Sequence, residues 1–208
     1  MHKYISIFCC LFCCLFARAQ NISKDSLTVL SNSFKRDNPV GIERVRRLNV
    51  LAGQYMKMYI DTGLIYANQA KVLAEELRDT PGLAKALFNI TLYYENKPDY
   101  SKALEYALQA ITQYEYLNDH KGLAETFGEI SMVYKNFAGE KITEDYLAKG
   151  IEYSKKGFNE AVLAKDTFLM VLNLNVAGIT YRDWGKKDGK DFYYDSAFNC
   201  FTRAIQLA

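Results

Sequence analysis

Glycines interleaved with lysines can wrap a phosphate, and "GKKDGKD" at residues 185–191 has that composition. A phosphate loop also needs four residues between its glycines and a Ser or Thr directly after the lysine. Both are missing here, so the segment reads as a flexible insertion. The successive acidic ligands of a calcium loop are missing too. Histidine chemistry would fall to His120, in the "NDHKG" turn, because His2 lies at the extreme N-terminus. No second His or Cys stands at metal-ligand spacing from His120, which makes it a solvated turn residue. The cysteines divide into Cys9, Cys10, Cys13 and Cys14 near the start and a lone Cys200 beside Phe201, the place of a small core filler rather than a reactive thiol. Carboxylates are scattered along periodic segments with no nucleophile or base beside them. The sequence therefore predicts no catalytic set, no metal and no cofactor. Two glycosylation sequons, Asn21-Ile22-Ser23 and Asn89-Ile90-Thr91, match a short and common pattern, and the second falls inside a predicted helix.

The first twenty residues, "MHKYISIFCCLFCCLFARAQ", combine a basic start at Lys3, an apolar stretch from Tyr4 to Phe16 and the small residues Ala17 and Ala19 around Arg18. That is the layout of a secretory leader, with cleavage after Ala19 leaving Gln20 as the new N-terminus. A membrane anchor is the competing reading, but the apolar stretch falls short of the roughly 20 residues needed to span a bilayer. Lipid attachment requires a small residue before the acceptor cysteine, whereas Cys9, Cys10, Cys13 and Cys14 follow Phe8, Cys9, Phe12 and Cys13. The expectation is an exported, periplasmic chain whose mature part does not insert in the membrane. Cleavage leaves Cys200 alone, so no intramolecular disulfide forms and the apolar core must hold the fold. It also removes Lys3 and Arg18, taking the formal charge from +2 to zero. A neutral chain has no electrostatic footprint for nucleic acid, and the clusters Arg44-Arg46-Arg47 and Lys186-Lys187-Lys190 read as solvated faces.

Positioning any functional residue falls to helices. Half of the 208 residues are hydrophobic and about a quarter charged, ordinary globular material, and strict alternation of β-branched residues is missing. "DTPGLAKAL" at 79–87 returns as "DHKGLAETF" at 119–127, an offset of forty residues. Ile90 and Tyr94 fall on Ile130 and Tyr134, and Ala67 and Ala70 precede Ala107 and Ala110 by the same offset. Each period splits into two amphipathic segments, one carrying Leu87, Ile90 and Tyr94, the other Ala103, Leu104, Ala107, Ala110 and Ile111. The small residues of the second helix let it approach the first, and the aromatic of the first fills the gap beside them. The predicted helices are 23–37, then pairs at 42–59/61–78, 82–96/100–118, 121–138/142–157 and 161–183/192–208. In domain terms, 1–19 is the leader, 20–41 an N-terminal helix and linker, and 42–208 a stack of about four helix pairs.

These residues resemble the tetratricopeptide repeat, whose first helix carries a small residue and an aromatic and whose second carries spaced alanines. "LNVAGITYRDWG" supplies Leu174, Gly178, Tyr181 and Gly185, and "SAFNCFTRAI" supplies Ala197, Phe201, Ala204 and Ile205, across the insertion "KKDGKDF". Thr91 and Ser131 stand where the family has Gly or Ala, Gly150 replaces an alanine, and the period is about a helical turn longer than the common 34. The resemblance implies an all-α, right-handed solenoid of antiparallel helix pairs with a concave face that binds a protein or peptide. It is closest in character to the periplasmic sensory part of membrane-bound histidine kinases or related transcriptional regulators. A standalone periplasmic scaffold is the alternative, and an unrecognised enzyme a third reading.

Counting outward from the packed residues puts Lys85, Phe88, Leu92, Glu95 and Asn96 of the second unit on that face. Met132, Lys135 and Asn136 follow in the third unit, and Asn175, Ile179 and Arg182 in the fourth. In "SAFNCFTRAIQLA" apolar residues still recur at Phe198, Phe201, Ala204, Ile205 and Leu207. The last helix is thus expected to continue past Ala208, and an open edge there to self-associate.

Overall fold

Every regular element among the described residues is a helix. A computed structural model describes residues 24–140 and 144–208, so the expected leader, its cleavage point and the first sequon lie outside the described residues. Residues 1–39 and 40–208 divide as separate compact units. The first contains α1 (Lys24–Asp37), a helix with Asp25 in its first turn and Lys35 and Arg36 in its last, charges that suit the helix dipole. The second contains α2 (Gly41–Tyr55), α3 (Ile60–Leu77), α4 (Thr80–Asn96), α5 (Tyr100–Leu117), α6 (His120–Glu140), α7 (Glu144–Leu163), α8 (Thr167–Asp188) and α9 (Asp191–Leu207). None of the described helices is long and apolar enough to cross a membrane.

One local device recurs where α3 meets α4, α5 meets α6 and α7 meets α8. Arg78, Asn118 and Lys165 each take a left-handed conformation, with φ of 55°, 51° and 53°. The next residue is always Asp, and its backbone N–H donates to a carbonyl five residues back, from Asp79 to Ala74, Asp119 to Tyr114 and Asp166 to Ala161. The same Asp then caps the following helix, its carboxylate accepting from the N–H of Gly82, Gly122 or Leu169. Asp99 caps α5 in the same way, by accepting from Lys102.

Two predicted boundaries are corrected. The seventh helix runs to Leu163 instead of 157, and the eighth begins at Thr167 instead of 161. Gly157-Phe158-Asn159 looks like a helix stop, but Gly157 is interior: a Cβ there would lie 2.1 Å from Asn173 Oδ1, so the missing side chain serves a close helix approach. The segment 185–191 is not a flexible insertion either. Helix α8 runs on through Asp188, and only Gly189 and Lys190 separate it from α9, Gly189 ending the helix at φ 69°.

Packing follows the period. Successive helices from α2 to α9 touch, and α2–α4, α4–α6 and α6–α8 touch as well, whereas among the described residues α3, α5, α7 and α9 do not touch one another. The buried clusters are each shared by successive helices, as where Leu87 of α4, Ala107 and Ala110 of α5 and Ile130 of α6 pack together. The aromatic of each first helix meets another on the second: Tyr55–Tyr66, Tyr94–Tyr106, Tyr134–Tyr153 and Trp184–Tyr193, at centroid separations of 5.3, 5.5, 5.6 and 4.7 Å. The last three pairs are stacked, a geometry that adds to their burial. The aromatic–alanine order in the sequence predicts Tyr94 and Tyr134, but it misses Tyr55, names Tyr181 where Trp184 makes the contact, and gives none of the second partners.

Candidate functional site

Helices α2, α4, α6 and α8 form a contiguous layer, and side chains one repeat apart meet across it. Lys85 on α4 donates to Glu125 on α6 at 2.8 Å, and its ammonium sits 4.4 Å from the centre of the Phe88 ring. Further along the same two helices, Asn136 donates to Glu95 at 3.1 Å. Between α2 and α4, Asn89 donates to the Asn49 carbonyl at 3.1 Å, and Asn49 in turn donates to the Gly82 carbonyl at 2.8 Å. The result is a ladder of polar bridges laid between apolar residues.

Several sequence-predicted residues belong to this ladder. Lys85, Glu95 and Asn136 are rungs, and half-buried Lys135 places its positive charge near Glu95. Phe88 is buried in the core cluster, and Leu92 packs half-buried against two clusters. Asn96 is exposed and donates to the Leu92 carbonyl on its own helix. Met132, Asn175 and Ile179 are half-buried, and Arg182 pairs with its neighbour Asp183 at 3.0 Å.

The sequence reading missed Asn49, Asn89, Glu125 and Glu129. Their signal was present as spacing: polar residues forty apart, as in Asn49–Asn89 and Lys85–Glu125, lie directly across from one another. Asn89 is 1% exposed within α4, so its sequon offers no site for a glycan on the folded chain. His120 is 42% exposed at its side chain and also has a partner. Its Nδ1 lies 2.7 Å from Glu160 Oε2, forty residues on, and Lys121 pairs with Asp166 at 2.8 Å, so both tie α6 to the next turn.

Glu129 differs from every rung. It makes no hydrogen bond or contact ion pair with the described residues, although Glu95, Glu125 and Lys85 are close enough to act on its charge. Burial, followed by the negative charges of Glu95 and Glu125, pushes its carboxyl up to about 8. Burial likewise raises Glu95, against the pull of Lys135 and Asn136. In the unfolded chain Glu129 ionises near 4.5, while in the folded chain it keeps its proton until about 8, so the folded state binds more protons across that window. Stability must therefore fall as pH rises from 4.5 through 8. Glu129→Gln, which cannot ionise, is expected to match the parent chain near pH 4 and to exceed it increasingly toward pH 9. Urea unfolding at a series of pH values measures this, and parallel profiles would contradict it.

Chemically, the layer offers hydrogen-bond donors, carboxylates and apolar ridges. Among the described residues no group of three or more His, Cys, Asp or Glu could hold a metal ion. No protein-family model matches the chain, and no curated protein matches it in sequence.

Proposed function

We propose that residues 40–208 are an exported, non-enzymatic tetratricopeptide-like domain. Its helix pairs run antiparallel and stack as a right-handed solenoid, with α2, α4, α6 and α8 lining a concave face that binds a protein or peptide. The observation that carries this reading is the asymmetry of packing: among the described residues the first helices of successive pairs touch one another and the second helices do not. A layer whose members touch is the shorter one, so the stack curves toward it and leaves its outer edge open to a ligand. The alternation of polar bridges with half-buried Leu92, Met132 and Ile179 suits an extended chain, whose backbone and side chains need both. In the setting implied by the resemblance, the domain is the ligand-binding part of a periplasmic signalling protein.

Replacing Asn96, Lys135, Asn136 and Arg182 together by Ala tests the face. The variant is expected to stay folded, with a lowered unfolding midpoint because Glu95 loses Asn136 and Lys135, while losing roughly tenfold or more in capture of the native partner. Undiminished capture would place the site elsewhere.

A further inference from the structure

One contact recurs along the chain: the flank of a second helix is covered by the next first helix. Ala67 of α3 shares a buried cluster with Ile90 of α4, Ile111 of α5 with Ile130 of α6, and Ala161 of α7 with Leu169 of α8. Helix α9 carries the same flank. Its Ala197, Phe201, Ala204 and Ile205 repeat the spacing of Ala103, Ala107, Ala110 and Ile111. Yet Ile205 is 44% exposed where Ile111 is 7% exposed, and Phe198 is exposed where Leu104 is half-buried.

Helix α2 presents the other half of that contact. Val50 stands at the position that Ile90 holds in α4 and Ile130 in α6, following the forty-residue period. Both isoleucines are buried against the second helix before them, whereas Val50 and Ile42 are exposed. Each open flank is thus one side of an interface that the chain already makes within itself, and each offers the apolar residues that such an interface buries.

Charge selects which flanks meet. Helix α2 carries Arg44, Arg46 and Arg47 against Glu43, three positive charges and one negative, a net +2. Helix α9 carries Asp191 and Asp195 against Arg203, two negative and one positive, a net −1. Opposite signs favour α2 against α9 and oppose the pairing of two α2 or two α9 helices.

We propose that α9 of one copy packs against α2 of another, joining copies head to tail through the contact that joins successive helix pairs inside the chain. The peptide-binding reading does not enter this. A contact of two different flanks leaves one of each unused, so further copies add by the same step.

Sedimentation velocity of the full chain at rising concentration tests it. The parent is expected to form dimers, trimers and larger species in succession. Val50→Glu and Phe198→Glu, both at exposed positions, should keep the parent's circular dichroism and stay monomeric. Mixed in equal amounts, they should form one dimer and nothing larger, because each variant retains the flank that the other has lost. A parent chain that stays monomeric up to millimolar concentration, whatever else occupies α9, overturns the proposal. So does a Val50→Glu dimer, which would pair α9 with α9, or a mixture that remains monomeric. Should either variant fail to fold, Ile42→Glu on α2 or Ile205→Glu on α9 takes its place in the same mixture.

Discussion

Ala107→Arg is expected to destabilise residues 40–208 by about 3 kcal/mol or more, a large share of a typical domain's stability. Ala107 is fully buried in α5, in one cluster with Leu87 and Phe88 of α4 and Leu123 and Ile130 of α6. Its methyl group is what lets α5 approach both neighbours, so a longer side chain must either force the helices apart or bury a guanidinium with no counter-charge. Leu108→Arg introduces the same side chain one residue later, where Leu108 is 51% exposed, and is expected to change stability by less than about 0.5 kcal/mol. Chemical denaturation of the pair separates register from composition. Similar midpoints would mean that α5 faces its neighbours with another side.

Gly157→Ala is the second large effect, and it is counterintuitive because Ala favours a helix interior by about 1 kcal/mol over Gly. The new Cβ would stand 2.1 Å from Asn173 Oδ1. Asn173 is fully buried, and its amide donates to the carbonyl of Leu169 at 2.9 Å and, across to α6, of Ala124 at 3.3 Å. Turning away from residue 157 would break those bonds and leave the buried amide of Asn173 without partners. A net loss of about 2 kcal/mol is expected. In the double variant with Asn173→Ala the clash disappears, so its cost should be at least about 1 kcal/mol less than the sum of the single variants. A neutral Gly157→Ala, or strictly additive losses, would show that α7 and α8 are not so close.

The helices were legible because their period is written twice, in Leu87–Ile90–Tyr94 and in Ala103–Ala107–Ala110. The turn at Lys165-Asp166 was not legible, since a lysine in a left-handed conformation carries no composition signal, whereas Gly157 imitates one. Half of the candidate face could be read by counting along single helices, which placed Lys85, Glu95, Lys135 and Asn136. Their partners could not. Whether Glu125 meets Lys85, and whether Glu129 meets nothing, depends on how α4 and α6 slide against each other, and the period of one helix does not contain that offset. Only the forty-residue spacing hinted at it, and it pointed equally at core positions such as Ile90 and Ile130.

Site-specific photo-crosslinking in the producing cell tests the central claim most directly. A benzophenone side chain at Met132 or Asn175 samples the α2–α4–α6–α8 layer, and one at Leu108 or Tyr116, 51% and 78% exposed on α5, samples the other layer. The account predicts adducts of one discrete mass from the first two positions and none from the second two, with the adducts lost when Asn96, Lys135, Asn136 and Arg182 are replaced by Ala. Adducts from Leu108 or Tyr116 with none from Met132 or Asn175 would contradict it.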